Sequence, residues 1–484
     1  MTSPLASRCF SLEDQIAFAK LSSDWNPMHL DQAFARRTQV GAPVVHGIHN
    51  LVWAADAVLR AFPIRVANIR ARFLQPLYLD ESASVRIKER TNQQIEFEIV
   101  AADVVVAFVK LASEPGKRVT KIGQPAVSAV APMSVPADLG LEQLAGQAGA
   151  VAIPESDVRS PFPALTEAIG LPGLEALLAT SQIVGMACPG LHSLFAGLDI
   201  NFDSNSGRQR GREAALGYAV TKVDARFRSL QIEIAGNGAT GRLDAFSRPA
   251  PPSQPDMAEI SSRVTGSPFA GQRSLVIGGS RGLGEVTAKI VAAGGGRPII
   301  TYKESAGAAE RVAADIAASG GQCGIMRYDA LSPAREQLAK LEAVDCCFYF
   351  ATPKIFLRKS ALYQPERLSS FLSFYADGFF DLCSALASAE SRKIAVFYPS
   401  TVAIDEGLST AAEYAMAKVA GETLANHLNQ FMSNIEVLCR RLPRILTDQT
   451  ATVGVASADN ALDVLLPIVY EVQAMGRREP ASSG

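Results

Sequence analysis

Two stretches rich in proline, serine and alanine interrupt this chain and limit what it can fold into. Residues 114–140 carry Pro, Gly, Ser and Ala without a clear period, and residues 247–270 (SRPAPPSQPDMAEISSRVTGSPFA) are denser still. Segments of this composition read as linkers. They leave three blocks, 1–120, 140–247 and 271–484, in a chain of 484 residues. Three is the number expected at roughly 150 residues per domain. Hydrophobic residues make up 48% of the chain and charged residues 19%, enough for each block to bury a core. A net charge of -2 provides no overall field for nucleic acid or an anionic membrane. No segment reaches the ~18 consecutive apolar residues of a membrane helix. The start, MTSPLASRCFSLEDQ, meets charge too early for a secretory signal. Seven scattered cysteines without a CxxC suggest neither a zinc site nor a disulfide framework. The expectation is a cytoplasmic protein with reduced thiols, no metal, no nucleic acid and no membrane.

The first block opens on a helix start, with Ser11 and Asp14 spaced as a capping box. A long apolar helix follows, from Val45 to Phe62. Ile95, Phe97 and Ile99 then alternate with Gln94, Glu96 and Glu98, the period of a half-buried strand. Helix first and antiparallel strands after it predict a sheet wrapped on one helix. The second block reads as a worn copy of the first. Val184-Gly185-Met186-Ala187-Cys188-Pro189 with His192 echoes Val40-Gly41-Ala42-Pro43 with His46, and Gln231–Ile234 echoes Gln94–Phe97. In the third block, apolar runs alternate with helices of 10 to 20 residues, the pattern of a parallel sheet covered on both faces.

Ser23-Asp24-Trp25-Asn26-Pro27-Met28-His29 sets an acid and an imidazole around a proline that forces a turn. Such a turn can aim both side chains at one water. It can equally be an Asn-Pro turn with Asp24 as a helix cap and His29 half buried. The helix beginning at His46-Gly47 offers free N–H groups to an oxyanion. The strings SSDWNPMHLD, QVGAPVVHGIHNLVWAADAVLRAF and IRARFLQPLYLDESASVRI resemble the MaoC-like, hydratase-2 family of hotdog enzymes. That resemblance implies that Asp24 and His29 activate the water that adds to a 2-enoyl thioester, giving an (R)-3-hydroxyacyl thioester. It also implies that Asn26 arranges the site, that Gly47 supplies the oxyanion N–H, and that the second block is an inactive half with His192 in the place of His46.

Gly278-Gly279-Ser280-Arg281-Gly282-Leu283-Gly284 follows an apolar strand and opens a helix, so its backbone can approach a pyrophosphate. The second strand ends Thr301-Tyr302-Lys303, and no carboxylate sits there. Arg281 and Lys303 are cations where a 2′-phosphate would lie, which favours NADPH over NADH. Asp329 stands at the end of the third strand, within reach of an adenine edge. Tyr414 and Lys418 lie one helical turn apart. A lysine cation beside a phenol would lower its pKa and ready it as a proton donor. With Ser400 and Thr401 upstream, this set resembles the short-chain dehydrogenase/reductase family. The resemblance implies cofactor contacts from Gly278, Ser280, Gly282, Leu283, Gly284, Lys418 and Thr447, with Ser400 or Thr401 beside Tyr414. Phe350-Ala351-Thr352-Pro353 and Tyr375 depart from the family pattern, at the fourth strand and at its relay asparagine.

The expected architecture is therefore an α+β double hotdog followed by an α/β Rossmann-like doubly wound parallel sheet. The expected activity is bifunctional. It joins an (R)-specific enoyl-thioester hydratase or 3-hydroxyacyl dehydratase to an NADPH-dependent 3-oxoacyl reductase. The substrates would be acyl-CoA or acyl-carrier-protein thioesters, and the assembly a homodimer or higher homo-oligomer. Two alternatives stay open: a hydratase with a degenerate reductase domain, and a non-catalytic NADPH-binding scaffold.

Overall fold

The computed structural model describes residues 4–116, 133–152, 160–203, 215–353, 355, 363–389, 393–407, 411–447 and 458–477. Most of the first predicted linker lies outside them. The chain divides into two compact units, with the division after Ala250.

The first unit is built on one antiparallel sheet of ten strands. They are β1 (Ala6–Cys9), β2 (Asn68–Phe73), β3 (Ser82–Arg90), β4 (Gln94–Ala101) and β5 (Val104–Ala112). After these come β6 (Ala148–Ala152), β7 (Ser193–Phe202), β8 (Ala215–Asp224), β9 (Ser229–Gly236) and β10 (Ala239–Ser247). Their spatial order is β1-β3-β4-β5-β2-β7-β10-β9-β8-β6. That order is symmetric about the β2–β7 pair: the second five strands repeat the first five. Matching hairpins carry the repeat to finer detail. The β4–β5 turn places Ala102 and Asp103 at φ 46° and 59°, and the β9–β10 turn places Asn237 and Gly238 at 46° and 73°. Both are two-residue turns with left-handed backbone, which suits the strand twist.

The alternation read in Gln94–Ala101 holds only in part: Glu96 pairs with Lys110, but Glu98 is buried and pairs with Lys88, while Ile95, Phe97 and Ile99 are buried as expected. These inward residues pack on helix Gly47–Ala61, whose Ile48, Leu51, Val52 and Val58 belong to the same core. The counterpart helix, Leu171–Gln182, runs into a π-helical turn, Ile183–Ala187. Polar contacts seal the join of the two halves. Asn68 Nδ2 donates to Asp199 at 2.8 Å, and Arg70 holds the same carboxylate through two nitrogens. The Ser11–Asp14 capping box forms as the sequence suggests.

One part of the sequence echo fails. His46 precedes its helix as the N-cap, whereas His192 follows its helix and leads into β7. The two histidines therefore occupy different places. The short apolar strings that suggested the match belong to opposite ends of the two helices.

The second unit is a six-stranded parallel sheet, ordered β13-β12-β11-β14-β15-β16. The strands are β11 (Arg273–Ile277), β12 (Arg297–Tyr302), β13 (Gly324–Arg327), β14 (Cys346–Tyr349), β15 (Ile394–Thr401) and β16 (Ile435–Leu442). Helices cover both faces with separate cores. Val286, Ile316 and Leu465 lie in one; Phe379, Tyr398 and Leu428 lie in the other. The order reverses between β11 and β14, and in sheets of this kind ligands bind at the carboxyl ends of the strands beside that switch. After β16 the described chain holds helix Ala461–Met475 and no further strand. No single described helix is long and apolar enough to cross a membrane. All seven cysteines are free.

Candidate active sites

In the first unit, helix Leu12–Ser22 ends on Ser23 at φ 57°, which turns the chain inward at Asp24. Asn26 then caps the short helix Pro27–Leu30, its Oδ1 accepting from Met28 N, with Pro27 in the first turn. This delivers His29 one turn later. Asp24, Asn26 and His29 are 2%, 0% and 8% exposed. The Asp-x4-His turn thus brings both groups into the core, and Asp24 does more than cap a helix.

The hydrogen bonds fix the chemical state of the pair. His29 Nδ1–H donates to Val44 O at 2.8 Å, which leaves the Nε2 lone pair free. Burial pushes the His29 pKa down, against the pull of Asp24 and the Val44 carbonyl. The imidazole is therefore neutral near pH 7, as a base must be. Burial pushes the Asp24 carboxyl up, opposed by His29, by Ser181 and by the Asn26 N–H. Ser181 Oγ donates to Asp24 Oδ2 at 2.7 Å, and Asn26 N donates to Oδ1 at 3.2 Å. Both donors favour the ionised carboxylate.

The second half contributes these contacts directly. Asn26 Nδ2 donates to Gly185 O at 2.8 Å and to Gly190 O at 3.1 Å. Gly185 lies on the π-helical turn against Asp24. A Cβ there would meet Asp24 Oδ1 at 2.2 Å, so no side chain fits. Sequence reasoning assigned this half no site residues; the structure brings Ser181, Gly185 and Gly190 to the acid and its neighbour Asn26. The local signal in the sequence is the Val184-to-Pro189 string, which echoes Val40–Pro43.

His46 stacks on His29, with ring centroids 3.8 Å apart and planes 24° apart. Its Nδ1 lies 2.9 Å from Gln15 Oε1, and its Nε2 lies 3.1 Å from the Asp24 main-chain oxygen. One donor atom each of Asp24, His29 and His46 falls within a 4.8 Å cluster, a composition that can hold a metal. Gly47 is the first residue of its helix, and its N–H has no acceptor among the described residues.

In the second unit, the glycine-rich turn joins β11 to helix Gly282–Ala293 as expected. Gly278 and Gly282 have φ of 77° and 57°. A Cβ on Gly284 would meet Gly278 O at 2.3 Å, so strand and helix approach as only glycine allows. A Cβ on Gly282 would meet nothing nearer than Thr447 at 4.0 Å, so the turn has open space in front of it. Arg281 sits at the helix N-cap without a side-chain capping bond, and Ser280 and Leu283 flank it half buried. Lys303 and Asp329, expected to touch different parts of a nucleotide, are paired with each other at 3.0 Å. Asp448, after Thr447, lies outside the described residues.

Tyr414 and Lys418 lie on helix Ala412–Phe431, beside the end of β15. Thr401 lies close enough to Tyr414 to hold its hydroxyl pKa down in part. Ser400 donates to Glu422 Oε1 at 2.5 Å, so of the two candidates Ser400 is engaged elsewhere while Thr401 acts on Tyr414. The expectation that Lys418 lowers the Tyr414 pKa does not hold. Burial raises the Tyr414 hydroxyl, offset in part by Thr401. Lys418 Nζ donates to Pro399 O at 2.6 Å and lies 3.9 Å from the Tyr375 ring centroid, 5.0 Å from that of Tyr398 and 5.9 Å from that of Tyr414. Burial pushes its pKa down to about 7. The amine is caged by rings, and the Tyr375 hydroxyl that closes the cage is bonded to Thr352 at 2.5 Å.

Residues 4–109 match the family model described as MaoC like domain. Peroxisomal multifunctional enzyme type 2 of Mus musculus is 31% identical over 112 residues, covering 21% of this chain and 15% of that protein. The (R)-specific enoyl-CoA hydratase of Aeromonas caviae is 50% identical over 42 residues, covering 9% of this chain and 31% of that protein. The chain thus spans less than a third of the length of either relative. A solved 3-oxoacyl (acyl-carrier-protein) reductase from Agrobacterium tumefaciens with NADP bound is similar at 18% identity and a TM-score of 0.38. It covers 42% of this chain and 88% of that one. A short-chain dehydrogenase from Burkholderia cenocepacia with NADP is similar at 23% identity and a TM-score of 0.38, covering 43% of this chain and 93% of that one.

Proposed function

We propose that this chain is a bifunctional acyl-thioester enzyme. Residues 1–120 and 140–247 form a double hotdog that hydrates 2-enoyl thioesters or dehydrates (R)-3-hydroxyacyl thioesters. Residues 271–484 form a reductase that interconverts 3-oxoacyl and 3-hydroxyacyl groups with NADPH. The 3-hydroxyacyl thioester is common to both reactions, and fusion raises its local concentration.

One observation carries the hydratase reading: a neutral His29 with a free Nε2 beside an Asp24 carboxylate held by two donors. His29 takes a proton from water held between the pair, and the hydroxide adds to C3. The charge passing to the thioester oxygen meets the Gly47 N–H, and the proton returns to C2, so H and OH add across the double bond. The relatives named as an (R)-specific enoyl-CoA hydratase and a multifunctional enzyme support this chemistry.

The glycine turn suits a dinucleotide, because open space faces Gly282 and the helix start has no side-chain cap. Gly278, Ser280, Arg281, Gly282, Leu283 and Gly284 would hold the pyrophosphate side. Lys303, Asp329 and Thr447 would flank it. NADPH supplies hydride when bound. Tyr414, aligned by Thr401, gives the proton to the forming alkoxide. The Lys418 cage favours a second reading, in which this unit binds NADPH and does not turn over. Crotonyl-CoA hydration measured beside acetoacetyl-CoA-dependent NADPH oxidation separates the two. Hydration with no oxidation supports the second, and neither activity defeats both.

Free thiols at all seven cysteines fit a reducing, cytoplasmic setting. Met416, Val419 and Phe431, exposed along helix Ala412–Phe431, support self-association into a homo-oligomer.

A further inference from the structure

Arg248, just after β10, is a buried cation without an anion. It is 3% exposed. Its Nη2 donates to Leu191 O at 3.2 Å and its Nε to Ser193 O at 3.4 Å. Its backbone N–H donates to His192 O at 2.7 Å. The remaining terminal nitrogen, Nη1, has no hydrogen-bond partner among the described residues, and no carboxylate there pairs with the guanidinium. Buried charges are ordinarily paired, because desolvation is costly. This one is held by main-chain carbonyls alone, in a segment anchored beside Gly190, which itself binds Asn26.

Arg248 reaches the hydratase pair through the chain at Gly190–Leu191, where Gly190 O accepts from Asn26 and Leu191 O accepts from Arg248. Asp24 faces His29 from the turn before its helix, His46 stacks on it from the start of the next, and Arg248 acts on it from the second half. Of these three, only Arg248 carries a fixed positive charge. The position suits a group that meets negative charge on the substrate, since an unused guanidinium N–H is a strong, directional donor to an anionic oxygen.

We propose that Arg248 is an anion-binding residue of the hydratase site, which receives a negatively charged oxygen of the acyl group through Nη1. The proposal rests on the hydratase reading above. Two sources share this chemistry: the enolate oxygen that forms as water adds, and a carboxylate carried on the acyl chain near the double bond.

The test compares wild type, Arg248→Met and Arg248→Lys on crotonyl-CoA and on fumaryl-CoA, whose acyl group ends in a carboxylate. The His29 pKa is followed by NMR in the same proteins. If the enolate is the ligand, Arg248→Met lowers kcat on crotonyl-CoA by about 100-fold or more with KM little changed, and Arg248→Lys recovers part of it. If the carboxylate is the ligand, KM for fumaryl-CoA rises about tenfold or more while crotonyl-CoA is unaffected. Either way the His29 pKa rises in the Met variant, which a purely structural role would not cause. Unchanged kinetics on both substrates with an unmoved His29 overturn the proposal. The Lys variant, which keeps the charge, decides the matter through the same kinetics if the Met variant does not fold. Failure of wild type to hydrate either thioester would defeat the hydratase reading instead, and the NMR titration would still report whether Arg248 faces His29.

Discussion

Ser181→Ala removes one hydroxyl from the second half and leaves the Asp24–His29 turn intact. In the structure that hydroxyl donates to Asp24 Oδ2 at 2.7 Å, in a site where Asp24 is 2% exposed. A hydrogen bond to a charged group contributes about 1.5–3 kcal/mol. Its loss disfavours the ionised form about tenfold or more and raises the Asp24 pKa further. The direction follows from the site. Burial already pushes this carboxyl up, and Ser181 is one of the groups holding it down. The assay is kcat/KM for crotonyl-CoA hydration across pH. The acid limb should move to higher pH, with activity recovering toward wild type at high pH, and Ser181→Thr should restore the original limb. An unmoved limb in a folded Ser181→Ala protein would refute the electrostatic reasoning. An equal loss at every pH would show that Ser181 only positions Asp24.

Gly185→Ala should abolish hydration, by about 100-fold or more, because the new Cβ would sit 2.2 Å from Asp24 Oδ1; near wild-type turnover would show that the π-helical turn can retreat. Thr401→Ala should depress 3-oxoacyl reduction while Ser400→Ala leaves it within a few-fold, since Ser400 serves Glu422; the reverse ranking would return Ser400 to the site. His29, His46 and His49 are all held below their ordinary 6.5 by burial, His49 at about 3. The unfolded chain therefore binds protons first as pH falls. The first unit should lose stability progressively below about pH 6.5 and down toward pH 3, while Asp24, pushed up, works in the opposite sense through its own titration. Urea midpoints against pH check this, and a first unit as stable at pH 4 as at pH 7 would contradict it.

Local pattern carried much of this architecture. Alternation in Gln94–Ala101 marked a strand because its period is set by the pleat, and Gly278–Gly284 marked a turn because only glycine permits that approach. The Asp24–His29 pair was legible for the same reason: Pro27 fixes the turn within six residues. Ser181 was not legible, since it meets Asp24 across 157 positions and through the pairing of two half-sheets. The spacing of Tyr414 and Lys418 placed both on one helix face, yet the direction of the lysine is set by Tyr375 and Pro399, which come from other elements. His192 was misplaced because short apolar strings match at either end of a helix.

The central claim is that the buried Asp24–His29 pair hydrates enoyl thioesters. The most direct measurement is the rate and product configuration of crotonyl-CoA hydration by the full chain, beside Asp24→Asn and His29→Ala variants of matched thermal stability. Wild type should give (R)-3-hydroxybutyryl-CoA, and both variants should lose nearly all turnover. Near wild-type hydration by either folded variant, or an (S) product, would contradict the claim.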